Sequence, residues 1–87
     1  MNKFKKQFIE VTATFKDGNI TPQEMVWVYE NGDEEKFTID KVIGEPMRAA
    51  AIKGGGIGLR YECRIQGKIR YLYLDGYEWF VEVVDHS

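Results

Sequence analysis

The sequence predicts an all-β domain, and three observations predict it: apolar and polar residues alternate with period two in most of the chain, turn-forming pairs punctuate those runs at hairpin spacing, and 87 residues leave room for one core. At 44% hydrophobic, 14% aromatic and 30% charged, the chain has apolar mass for a compact interior and a well-solvated outside. It is read as one domain over residues 7–84, with tails at 1–6 and 85–87.

The first strand is expected over Phe8 to Phe15, where Ile9, Val11, Ala13 and Phe15 face one side and Glu10, Thr12 and Thr14 the other. Lys16-Asp17-Gly18-Asn19 is a turn, because Asp, Asn and Gly tolerate left-handed backbone angles. A second strand runs from about Gln23 to Glu30. Met25, Trp27 and Tyr29 share one face and Val26 and Val28 the other, and the pattern leaves open which of the two is inward. Asn31-Gly32 offers a hairpin turn into a third strand, Phe37 to Ile43.

Gly44-Glu45-Pro46 ends that strand, and Met47 to Lys53, with three consecutive alanines, suggests a short helical turn before Gly54-Gly55-Gly56. The remainder reads as a three-stranded meander with turns at Gln66-Gly67 and Asp75-Gly76. Two-residue loops at both turns put Leu59, Tyr61 and Cys63 on the core face with Leu74, Leu72 and Arg70, then Tyr77, Trp79 and Val81. The opposite face then carries the rows Arg60–Tyr73–Glu78, Glu62–Tyr71–Phe80 and Arg64–Ile69–Glu82. Five to six short strands with exposed edges favour a small antiparallel, partly closed SH3-like barrel. An antiparallel sheet covered by the Ala-rich segment is the alternative.

The net charge of −2 and pI near 5.4 argue against a dedicated binder of nucleic acid or anionic membrane. Cys63 is the single cysteine, so there is no intrachain disulfide framework and no thiolate cluster for zinc, which fits a reducing cytoplasm. No apolar run is long enough to span a membrane.

Charge is nonetheless segregated. Residues 48–70 hold six cations against Glu62 alone, a local net of +5, while residues 17–47 hold eight acids against two lysines, a net of −6. The candidate binding surface is therefore Arg48, Lys53, Gly54, Gly55, Gly56, Arg60, Arg64, Tyr71 and Tyr73. With its interleaved tyrosines it is suited to another protein, or alternatively to single-stranded RNA or DNA. The glycines after Lys53 lack the spacing of a phosphate-binding loop, since a strand follows where a helix is required. They read as a flexible connection, with Gly58 leaving room for close backbone approach.

No catalytic residue, metal site or cofactor is expected. His86, the lone histidine, is penultimate, and Cys63 falls on the core face, where a thiol acts as a small hydrophobe. Trp79 is expected in the core, while Trp27 fits either core or an exposed interface.

Six segments carry a resemblance: Ile20-Thr21-Pro22, Ile39-Asp40-Lys41-Val42, Arg48-Ala49-Ala50, Lys53-Gly54-Gly55 with Gly58, Arg60-Tyr61-Glu62-Cys63-Arg64-Ile65, and Trp79-Phe80-Val81-Glu82. In these, over most of residues 8–82, the chain resembles a group of small uncharacterised proteins of Gram-positive, clostridial-type bacteria. Where that pattern usually has a small polar residue after the two alanines, this chain has Ala51. The resemblance implies a compact β domain in a bacterial cytoplasm and no particular activity.

Overall fold

A computed structural model describes residues 3–50 and 57–85. The strands are β1 (Lys3–Lys16), β2 (Asn19–Val28), β3 (Glu34–Thr38), β4 (Lys41–Val42), β5 (Met47–Ala50), β6 (Ile57–Ile65), β7 (Lys68–Asp75) and β8 (Glu78–Asp85). They form one antiparallel sheet in the order β3-β2-β1-β8-β7-β6-β4, with β5 also pairing β6. The sheet curls into a partly closed barrel that includes the expected C-terminal meander.

The long β1 makes the curl possible. Its first half, Lys3 to Ile9, pairs with β8, and its second half, Glu10 to Lys16, pairs with β2, so one strand serves both halves of the sheet. It begins inside the stretch expected as an N-terminal tail, because Lys3 to Lys6 lie along Glu82 to Asp85. Asp85, expected in the C-terminal tail, likewise ends β8. A bulge at Gln23 interrupts the β1–β2 ladder between Thr12 and Ala13. The extra residue shifts side-chain parity, so that Ile20 and Pro22 before it face the core along with Met25 and Trp27 after it.

That bulge also anchors the closure. The Ile39 amide donates to the Gln23 carbonyl at 2.9 Å, and the next amide, Asp40, donates to the Arg64 carbonyl on β6 at 2.9 Å. Two consecutive residues thus lace the two ends of the curl together, and the Ile39 side chain is buried between them. The Asp40 carboxylate adds a further tie by accepting from the Gln66 amide at 3.1 Å. This crossing is why the expected single strand from Phe37 to Ile43 is two, β3 and β4, each bonded to a different partner.

Met47 to Ala50 is strand β5, paired with Arg60 to Ile57, where a helical turn was expected. The open edge of β6 offers ladder partners that outweigh the helix preference of an alanine pair. The rest of that expected turn lies outside the described residues.

The core joins Ile9, Met25, Ile39, Tyr61, Cys63, Ile65, Leu72, Leu74 and Trp79, with Trp27 and Phe37 partly buried against it. Trp79 is in the core as expected, and its ring packs on Tyr61 at 5.3 Å between centroids. Trp27 is half-buried on the same side. Two residues placed inward by alternation are exposed: Phe15, at the end of the β1–β2 hairpin, and Tyr77, on the β7–β8 turn. Alternation continues to a hairpin tip, but the opposing wall of the core does not reach that far.

Candidate functional site

The face of the meander opposite the core is built by its turns. Gln66 and Gly67 both take positive φ, +53° and +74°, the two-residue hairpin geometry expected there, which places Arg60 opposite Tyr73, Glu62 opposite Tyr71 and Arg64 opposite Ile69. At the second hairpin only Gly76 has positive φ, and the paired ends are Asp75 and Glu78. The loop is therefore Gly76-Tyr77, with glycine at its first position, and not Asp75-Gly76.

This moves β8 by two residues against the expected register, which keeps every face but changes every partner. Phe80 lies opposite Tyr73, where Glu78 was expected, and Trp79 lies opposite Leu74, where Tyr77 was expected. The expected rows ending in Glu78, Phe80 and Glu82 are corrected accordingly. The observed row runs Met47–Arg60–Tyr73–Phe80–Phe8 across β5, β6, β7, β8 and β1.

That row is a small second core. Phe80 is only 2% exposed. Its ring stacks on Tyr73 at 5.2 Å and 8°, meets Phe8 edge-on at 6.1 Å, and carries the Lys6 ammonium 4.7 Å from its centroid. The Arg60 guanidinium lies 4.8 Å from the Tyr71 ring centroid and 3.9 Å from the Met47 sulfur. The Lys6–Phe80 and Arg60–Tyr71 geometries suit cation–π attraction, worth about 0.5–1 kcal/mol at exposed sites. Phe8, Met47 and Tyr71 stay open to solvent, at 55%, 59% and 43% exposed. Burial and a hydrogen bond to the Glu82 carboxylate raise the Tyr73 phenol above its ordinary value near 10, with Arg60 pulling the other way.

Of the candidate surface residues, the structure brings Arg60, Tyr71 and Tyr73 together and places Arg64 on the same face, beside Lys41. Arg48 is separate. It lies opposite Leu59, a core-side position, and so belongs to the other face of the sheet. Lys53, Gly54, Gly55, Gly56 and His86 lie outside the described residues. Phe80, expected on this face but beside Tyr71, completes the cluster with Lys6, Phe8 and Met47, which the sequence did not single out. The Lys6–Phe8 alternation was readable, but its adjacency to β8 is a long-range pairing with no local signal.

Cys63 is fully buried, and desolvation, then the neighbouring Glu62 charge, pushes its thiol up to about 11. A protonated, inaccessible thiol is a poor nucleophile. Among the described residues, no group of three His, Cys, Asp or Glu side chains could hold a metal ion, and no helix is long and apolar enough to cross a membrane. No protein-family model, curated protein or solved structure matches the chain.

Proposed function

We propose that the protein is a non-enzymatic interaction module that binds another protein through the face centred on Tyr71, Tyr73 and Arg60. The observation that supports this reading is the continuous row from Met47 to Phe8, in which exposed apolar groups surround a packed aromatic centre. Interfaces are enriched in aromatic residues, Met and Arg at such centres. The cations nearest the centre lie over rings, Arg60 on Tyr71 and Lys6 on Phe80, which suits an apolar contact better than a track of phosphates. In this reading the barrel is SH3-like in presenting one face of a small curled sheet to its partner. A reducing bacterial cytoplasm is the compartment that suits its lone buried thiol.

The test is a photoreactive side chain at position 71, compared with one at Phe15 on the far hairpin, in cells producing the protein at native level. One discrete protein adduct from position 71, lost on Met47→Glu and not formed from position 15, is the expected result. The same adducts from both positions would overturn the reading. A mixed single-stranded oligonucleotide is expected to leave the amide spectrum unchanged at about 50 mM salt. Shifts clustered on Arg60, Arg64, Tyr71 and Tyr73 that fade at about 200 mM salt would assign this face to nucleic acid instead.

A further inference from the structure

Strands β7 and β8 pair at only three positions, Tyr73 with Phe80, Leu74 with Trp79 and Asp75 with Glu78. Each continues well past that point along its other neighbour, β7 along β6 back to Lys68 and β8 along β1 out to Asp85. The two strands therefore diverge beyond Tyr73 and Phe80, and the wall of the barrel opens between them.

The opening leads into a groove of about 610 Å³ floored by Met25, Trp27, Phe37, Leu72, Val81 and Val83. That volume lies within the roughly 300–1,000 Å³ of small-molecule sites. Lys68 and Arg70 line the same groove. They occupy core-face positions, since Arg70 lies opposite Cys63 and Lys68 opposite Ile65, both buried. Alternation calls for apolar residues there, and two cations stand in their place.

Neither cation has a hydrogen-bond or ion-pair partner among the described residues. Glu35, on the Trp27 side of β3, accepts a hydrogen bond from the Tyr29 hydroxyl, and Glu82, which also lines the groove, is engaged with Tyr73. The open wall keeps Arg70 and Lys68 hydrated. An apolar group filling the groove would strip part of that water, and a charge buried without a counter-charge is costly. The occupant that suits this site therefore carries its own anion.

We propose that the groove binds one long-chain carboxylate, its alkyl tail against Trp27, Phe37 and Val81 and its carboxylate on Arg70 and Lys68. The Arg70 fork suits bidentate pairing with a carboxylate, and Lys68 adds a second charge at the mouth. Its two cations lie on the core-face side of the sheet, but where the strands part the groove borders Tyr71, Tyr73 and Glu82 of the opposite face; carboxylate binding is argued without the proposed protein partner.

The experiment is a titration of labelled protein with laurate below its micelle-forming concentration, followed by amide and indole signals. Dodecyltrimethylammonium and a short alternating Leu/Val peptide carrying one glutamate serve as competing ligands. Saturable one-to-one binding of laurate is expected, with shifts on Trp27, Val81 and Val83. The ammonium compound and the double variant Lys68→Glu with Arg70→Glu should each bind at least about tenfold more weakly. Both substitutions are at exposed positions, and the variant's amide spectrum checks that its sheet is intact. No binding, equal affinity for both head groups, or shifts confined to Phe8 and Met47 would overturn the proposal. So would preferential seating of the peptide in the groove, which would mark the divergent strand edges as a strand-accepting site.

Discussion

Replacing Gly58 with alanine tests the packing of β6 against β7 at a single atom. Gly58 sits on β6 beside Ala49 of β5, and a Cβ added there would collide with the Leu74 carbonyl oxygen. It would also stand 3.1 Å from the Leu74 carbonyl carbon and 3.4 Å from the Asp75 Cα. All three atoms are backbone, in a segment of β7 paired on both sides, to Leu59 and to Trp79, so no side chain can rotate away to relieve the clash. At an unobstructed strand position the same substitution would stabilise by about 0.5–1 kcal/mol, through the entropy of the unfolded chain. Forcing a methyl group into packed structure costs about 1–3 kcal/mol, and a weakened ladder hydrogen bond adds about 1 kcal/mol. The net is a loss of roughly 1–3 kcal/mol, or a Tm fall of roughly 5–20 °C for a domain of this size. Urea unfolding should show a lower midpoint with an unchanged m-value. Gly18→Ala is the control, because its surroundings are open and only its positive φ of +78° penalises a side chain. A Gly58→Ala midpoint equal to or above the parent would refute the close approach of the two strands.

The second core on the outer face makes Phe80→Ala cost about 3–5 kcal/mol, against under about 1 kcal/mol for the half-exposed Phe8→Ala, a contrast that the same urea curves would read. Native Cys63 should react with an alkylating reagent only as fast as the protein unfolds, and rapid labelling of the folded state would contradict its burial. Because folding raises that thiol from 9.0 to about 11, the unfolded chain loses its proton first as pH rises, so stability is fully present below pH 9 and is lost on the way to 11. Cys63→Ala should flatten that decline, as followed by the urea midpoint against pH. Spectrophotometric titration of Tyr73 should show its phenol moving further up in Arg60→Gln and back down in Glu82→Gln, because the two neighbours act in opposite directions.

How far the candidate surface was legible follows from where its contacts come from. Arg60, Tyr71 and Tyr73 came together as anticipated, because the Gln66-Gly67 hairpin is local and its turn chemistry sets the register. The partners contributed by β8 were displaced by two residues. Asp75-Gly76 and Gly76-Tyr77 are both workable two-residue loops, and alternation cannot choose between them, since a shift of two preserves every face. Phe8 and Lys6 were out of reach, because they arrive on β1 from the other end of the chain. The Ala-rich stretch was misread as helical because local preference is weak beside an unpaired strand edge that it can complete.

Period-two alternation, turn residues and length determined by themselves that this is a small antiparallel β domain with a C-terminal meander, a buried Cys63 and Trp79, and a glycine at 58 where two strands approach closely. These are properties of neighbouring residues and of single hairpins, where chain connectivity allows few arrangements. Only the tertiary structure decided that β1 bridges both halves, that the Gln23 bulge turns two sets of side chains to one core, and that β7 and β8 part to open a groove. Each depends on pairings between segments distant in the chain. Such pairings are selected by the packing of the whole core, for which an alternating pattern specifies the face but not the neighbour.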